Sequence, residues 1–236
     1  MSRVDLRGIQ GVLFDLGGTL DSDGEHWLNR FYLLYQKHLP QVDFLSLKSA
    51  FYEAEAACLQ EPGVAALDLA GLIDFHVSRQ FQALGINSPQ ASAALADGFL
   101  ESCRRCLRRN AGLLARLSKR LRLGVVTNFY GNAARLLTGE GLGEFFTVIV
   151  DSVVAGVRKP DPAIFLAALR ELKLPPTRAA YVGDSYGQDI RPAKQVGLIT
   201  VWLRNDAMSA PLPPDFDPTS ADFQIRSLMD LEGLFL

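Results

Sequence analysis

Cysteine is scarce in this 236-residue chain. Cys58, Cys103 and Cys106 are too few, and odd in number, for a disulfide framework. Cys103 and Cys106 form a CxxC, but there is no second pair and no histidine at zinc-ligand spacing. Two thiols on one helix face are therefore expected, not a metal or redox centre. Charge of one sign is lacking too. The 24 Lys and Arg against 26 Asp and Glu leave a formal net charge of −2, which offers no footprint for a long polyanion, so no nucleic-acid partner is expected. No apolar run approaches the roughly 20 residues of a membrane span. Residues 1–10 are charged and lack an apolar h-region, so neither a secretory leader nor a membrane partner is expected, and a cytoplasmic setting is the default.

Apolar residues are present in ordinary measure, at 48% of the chain against 21% charged, enough for a sizeable core. The length predicts one large domain or two unequal ones. Short apolar runs recur at Gly11-Val12-Leu13-Phe14, Leu123-Gly124-Val125-Val126-Thr127, Thr147-Val148-Ile149-Val150-Asp151, Ala179-Ala180-Tyr181-Val182-Gly183-Asp184 and Leu198-Ile199-Thr200-Val201-Trp202. A weaker one is Phe223-Gln224-Ile225. Such bounded runs, alternating with helix-length stretches at 163–172 and 188–196, read as buried strands of an α/β fold with a mostly parallel sheet. The alternation is broken once. Residues 25–39, 45–59, 67–84 and 89–108 read as four helices with no strand among them, separated by Pro40, Pro62-Gly63 and Gly85-Ile86-Asn87-Ser88. An all-helical cap at 22–108 is thus expected within a core formed by 1–21 and 109–236. The four prolines of 210–220 predict a loop before the last strand.

Polar residues stand at the strand ends, where open α/β sheets place ligands. They are Asp15, Thr127-Asn128 and Asp184, with Lys159-Pro160 a short loop beyond the third run. Taken with their neighbours, four segments resemble the motifs of the haloacid dehalogenase-like hydrolase superfamily. These are Phe14-Asp15-Leu16-Gly17-Gly18-Thr19-Leu20, Val125-Val126-Thr127-Asn128, Arg158-Lys159-Pro160-Asp161-Pro162 and Gly183-Asp184-Ser185-Tyr186-Gly187-Gln188-Asp189. The spacing of the first two is similar to that of members with a helical cap inserted after the first strand.

The resemblance implies a Rossmann-like core and a Mg²⁺-dependent hydrolase of small phosphorylated metabolites. Asp15 would attack phosphorus, giving an aspartyl-phosphate that water hydrolyses. Mg²⁺ would be held by Asp15, the Gly17 carbonyl and Asp184, with Asp189 an outer carboxylate or occasional ligand. Lys159 would offset the carboxylates and the transferring group. Thr127, Asn128 and Gly18 would meet the phosphoryl oxygens. Oligomeric state is not readable from the chain.

One departure from the family pattern bears on mechanism. Phosphatases of this superfamily usually carry a second Asp two residues after the nucleophile, as general acid and then base, and here that position is Gly17. Such a group is typically worth ~10²–10⁴-fold. Three explanations compete: a leaving group that departs unprotonated or a substrate that supplies its own proton; a substitute acid among Asp21, Asp23, Glu25 and His26; or a phosphoryl-binding protein with weak or no turnover. An acidic run at a helix start is also ordinary capping. Halide displacement needs no metal and, in the family, a different residue set. A phosphonate-cleaving variant would need a Schiff-base lysine, for which only Lys37 and Lys48 lie in the cap. His26, Trp27, Arg30 and Tyr32 are near enough to the first motif to meet substrate, although Trp27, Phe31 and Leu34 at helical spacing also read as core. The run Arg104, Arg105, Arg108, Arg109 reads as a solvated helix face in preference to a phosphate patch.

Overall fold

The computed structural model describes residues 6–204 and 216–236. Its centre is a six-stranded, all-parallel sheet in the order β3-β2-β1-β4-β5-β6. The strands are β1 (Gly11–Phe14), β2 (Arg122–Thr127), β3 (Val148–Asp151), β4 (Ala179–Gly183), β5 (Ile199–Leu203) and β6 (Phe223–Ile225). This is the expected α/β class, with each run displaced by no more than a residue or so. The chain places β1 in the middle and then grows the sheet outward on both sides.

Alternate side chains explain why the runs are continuously apolar. Val12 and Phe14 of β1 face one core with Val125, Val182 and Val201, whereas Leu13 faces the other with Val126 and Tyr181. Both faces are covered, so no position on the central strands can be polar for solvent's sake.

The strandless stretch is helical, as expected: α1 (Trp27–His38), α2 (Phe44–Gln60), α3 (Leu69–Ala83) and α4 (Pro89–Leu117), with a 3₁₀ turn at Pro62–Ala66. Each start is capped from the sequence. Asp43 accepts from the N–H groups of Leu45 and Ser46 at 2.9 and 3.0 Å, and Asp68 from Gly71 at 2.9 Å. Ser88 accepts from Ala91, with Pro89 at the first helical position. In packing, α2 lies against α3, α3 against α4, and α1 against α4.

Two expectations need adjusting. Helix α4 does not stop near Arg108 but continues to Leu117, because Leu107, Asn110, Leu113, Leu114 and Leu117 extend its buried stripe. The stretch expected as one helix over 188–196 is a wide turn at Tyr186–Ile190 followed by a short helix at Arg191–Val196, with Pro192 at its start. Of the proline-rich loop, 210–215 lies outside the described residues; Pro218–Ser220 is a 3₁₀ turn. Among the described residues no helix is long and apolar enough to cross a membrane.

The basic run of α4 is largely committed to ion pairs. Arg104 pairs with Glu140, Arg108 with Glu101, and Arg109 with Asp23. Cys103 is buried among Arg30 and Asp21, and burial pushes its thiol well up. All three cysteines are free, and the carboxylate cluster described below is the sole candidate metal cluster among the described residues.

Candidate active site

Asp15 follows β1 directly, its N–H continuing the ladder to the Val182 carbonyl at 2.9 Å. Its carboxylate is thereby set at the carboxyl end of the two central strands. Lys159 arrives from the segment after β3, and Asn128, just past β2, fixes its backbone. The Asn128 amide accepts from the Lys159 N–H at 2.8 Å and donates to the Lys159 carbonyl at 3.0 Å. The ammonium then lies 2.6 Å from Asp15 Oδ1, 2.6 Å from Asp189 Oδ1 and 3.2 Å from the Tyr181 hydroxyl. Asp189 receives the Ser185 N–H on its other oxygen at 3.0 Å. Asp184 accepts the Thr19 hydroxyl at 3.1 Å and, among the described residues, has no basic partner of its own.

Glycine makes this convergence sterically possible at two points. A Cβ on Gly18 would lie 2.6 Å from Asp184 Oδ2, and its φ of +89° is a region side chains rarely adopt. A Cβ on Gly183 would lie 2.6 Å from the Asp189 side chain.

Burial dominates the electrostatics. It raises the Asp15 carboxyl to about 6, since the nearby Lys159 charge does not fully offset it and Asp189 adds repulsion. Burial, with Asp15 and Asp189 as like-charged neighbours, pushes Asp184 well above the carboxylate range. Burial opposes the charge of Lys159, but its two carboxylate partners overcome this and hold it firmly protonated. Three carboxylates therefore share one cation.

The donor set fits a hard divalent ion. Oxygens of Asp15, Asp184 and Asp189 lie within 4.8 Å of one another, and the group is short of positive charge. Both oxygens of Asp189 are already engaged, by Lys159 and Tyr181 on one side and Ser185 on the other. Asp15 and Asp184 are the freer pair. A pH dependence follows. A carboxyl whose folded pKa exceeds its unfolded value keeps its proton longer when folded, so the metal-free fold loses stability as pH rises from about 4 through 6. A divalent ion such as Mg²⁺, if held there, would have to displace those protons. Its addition is expected to raise the melting temperature more at pH about 7.5 than at pH about 5, as thermal denaturation would show.

These groups floor a cavity of about 400 Å³, roofed by the start of α1 and the middle of α2. Asp15, Gly17, Thr127, Asn128, Lys159, Asp184 and Asp189 all line it. Gly18, expected at the phosphate, does not. Its N–H donates to Asp21 Oδ1 at 2.7 Å and its carbonyl accepts from Ser22 and Gly24, so its polar groups are spent inside the loop. Asn128 reaches the cavity, but its amide hydrogens go to Lys159 and Gln188, which makes it a clamp on the Lys159 peptide.

Of the proposed substitute acids, only His26 lines the cavity. Asp21 is buried and receives the Gly18 N–H, the Trp27 indole at 2.6 Å, the Arg30 guanidinium at 3.1 Å and the Cys103 thiol at 3.6 Å. Asp23 pairs with Arg109 and accepts from Ser227 and Leu228. Both carboxylates hold the first-motif loop against α1 and α4, instead of facing substrate. Asp21→Asn is expected to cost about 1.5–3 kcal/mol in a denaturant melt, because Arg30 is left buried without its countercharge. His26 Nδ1 accepts the Leu28 N–H at 3.2 Å, which places the ring proton on Nε2, and burial lowers its pKa. In that state Nε2 carries the single ring proton.

Tyr181 was not singled out by the sequence, although a tyrosine inside an apolar strand is itself a signal, because its hydroxyl must find a partner. It lies 3.0 Å from both Asp189 and the Val126 carbonyl. Glu55 and Tyr130, on the cavity wall, carry no motif and were not anticipated. Arg30 and Tyr32 do not reach the cavity, and neither do Lys37 and Lys48, both exposed.

Comparison with known proteins agrees with this architecture. The family model described as haloacid dehalogenase-like hydrolase matches residues 9–197. A phosphoserine phosphatase of Thermus thermophilus is 31% identical over 187 residues, covering 77% of this chain and 74% of that one. The bovine haloacid dehalogenase-like hydrolase domain-containing protein 3 is 35% identical over 128 residues, 52% of this chain and 51% of its own. A glyceraldehyde 3-phosphate phosphatase of Methanopyrus kandleri is 39% identical over 94 residues, 39% and 40% of the two. The chain thus spans about half the length, or less, of these last two relatives. In structure, a HAD phosphatase from Thermococcus onnurineus superposes with a TM-score of 0.54 at 21% identity, covering 96% of this chain and 97% of that one. A dehalogenase crystallised as an intermediate complex gives 0.66 at 16% identity, covering 98% of both. With a match over most of its length and a fold shared from end to end, the chain belongs to the haloacid dehalogenase-like hydrolases.

Proposed function

We propose that the protein is a Mg²⁺-dependent phosphatase of small phosphorylated metabolites, working through an aspartyl-phosphate on Asp15. The observation that carries this reading is the gathering of Asp15, Asp184 and Asp189 at the floor of one cavity, where a single buried lysine pairs with Asp15 and Asp189 and leaves Asp184 without a cation. A site for halide displacement has no use for a cluster so short of positive charge. The relatives named as phosphatases support the choice, because the fold alone is shared with dehalogenases.

Asp15 and Asp184 would hold Mg²⁺, with the Gly17 carbonyl as a third protein ligand and Asp189 behind them; the ion would supply charge neutralisation of the phosphate dianion. Lys159 brings a second positive charge to Asp15 and keeps it anionic against the cost of burial. Thr127, at the end of β2 and in the cavity lining, would donate to a phosphoryl oxygen. Attack by an Asp15 oxygen on phosphorus would break the ester P–O bond, the leaving alkoxide taking its proton from solvent or from the substrate itself. Water would then cleave the acyl phosphate to release inorganic phosphate and restore the carboxylate. We assign residues 22–108 as a cap and 1–21 with 109–236 as the core. Helix α4 crosses the second boundary unbroken and ties the two together. The cap limits the size of the substrate and keeps water from the floor.

A second reading, a phosphoryl-binding protein with little turnover, is favoured by Gly17 and by the engagement of Asp21 and Asp23 elsewhere. A screen of phosphorylated metabolites, with Mg²⁺ and again with a chelator, separates the two. Chelator-sensitive phosphate release from any member supports the phosphatase; tight binding without release across the screen supports the binder.

A further inference from the structure

We propose that Glu55 sets the specificity of the cavity, selecting phosphomonoesters whose alcohol part carries a protonated amine. This deepens the phosphatase reading and rests on it.

Glu55 stands on α2 in the cavity wall. Its Oε1 takes a short hydrogen bond from the Tyr130 hydroxyl and lies 3.4 Å from His76 Nε2. Gln80 Nε2 sits 2.7 Å from His76 Nδ1, which directs the other ring nitrogen's proton to Glu55. Two donors thus fix one oxygen and the rotamer. The side chain is nevertheless 34% exposed, so Oε2 is the oxygen left to the cavity. Burial favours the neutral acid, but the hydrogen bonds from His76 and Tyr130 outweigh it and hold Glu55 below its usual range.

An anion held there needs a reason, since the guest brings a phosphate dianion to the same cavity. The three floor carboxylates would be balanced by Lys159 together with a bound divalent ion. Glu55 remains, and among the described lining residues the other ionised cation is Arg158, at the exposed rim. A guest bearing phosphate alone meets repulsion from Glu55. One whose alcohol part carries an ammonium gains a charged hydrogen bond to Oε2. Trp27, Phe51 and Tyr52 add aromatic walls suited to an alkylammonium.

The test uses the full chain with Mg²⁺ and three matched esters: phosphoethanolamine, 2-hydroxyethyl phosphate and propyl phosphate, with para-nitrophenyl phosphate as control. Both kcat/KM and calorimetric affinity are measured. The native protein is expected to favour the amine over the propyl ester about 10-fold or more, with the hydroxyl ester well below the amine. In Glu55→Gln that ratio is expected to fall towards one, and taking the ratio of ratios cancels intrinsic differences in leaving group. Equal preference for the three esters in the native protein overturns the proposal even if the variant fails to fold. So does a preference that survives Glu55→Gln. Selective binding with no turnover of any ester, the control included, would leave Glu55 its role and remove the phosphatase reading.

Discussion

Asp15→Asn is expected to lower Mg²⁺-dependent phosphate release by roughly 10³-fold or more, with the fold retained. The amide is nearly isosteric, so the hydrogen bond from Lys159 at 2.6 Å can persist to its oxygen. What would be lost is the anionic oxygen proposed to attack phosphorus. The variant also relieves a crowd of carboxylates, since burial and repulsion hold Asp15 and Asp184 partly towards their neutral forms. Its metal-free melting temperature near neutral pH should therefore equal or exceed that of the native chain. This combination separates a nucleophile from a structural residue. Loss of activity together with a lower melting temperature would assign Asp15 to the framework, and retention of most activity would move the nucleophile elsewhere.

The sheet and the floor of the site were legible in the sequence for one physical reason. Buried parallel strands must be apolar throughout, so a polar residue at their end stands out, as Asp15, Thr127 and Asp184 do. The chemical roles came from a resemblance, and not from the spacing of those residues. The length of α4 was legible only in part. The basic residues at 104–109 look like the end of a helix, whereas the stripe from Leu107 to Leu117 that carries it onward is visible only once its burial is known. Asp21 is the clearest case of hidden information. From the sequence it is an acid six residues past Asp15 and open to any role; in the fold, Arg30 and Trp27 from α1 and Cys103 from α4 surround it. Partners up to 82 positions away decided its function. The cavity wall was illegible for the same reason, because Glu55 and Tyr130 meet across 75 positions with no motif to join them.

Gly17→Asp is expected to accelerate hydrolysis of alkyl phosphates by about 10²–10⁴-fold and to leave para-nitrophenyl phosphate nearly unchanged. Nothing in the backbone demands glycine at this position. Its φ of −76° and ψ of 119° suit any residue, and a Cβ would meet the Trp27 indole at an ordinary 3.6 Å. Glycine is thus not kept here by strain or by lack of room. An aspartate would lie two residues beyond Asp15 at the same cavity. It would compete with Asp21 for the Trp27 N–H, now 2.6 Å from Asp21, and that donor would steady its carboxylate. An alkoxide is a poor leaving group and needs a proton as the P–O bond breaks, whereas a nitrophenolate does not. A gain confined to alkyl esters, read as a steep fall in rate with rising leaving-group pKa that flattens in the variant, would show that proton transfer is the missing element. Equal rates for variant and native chain on every ester would mean that the proton already has a source. His26 would then be the residue to replace, since it is the one candidate acid beside the first motif that lines the cavity.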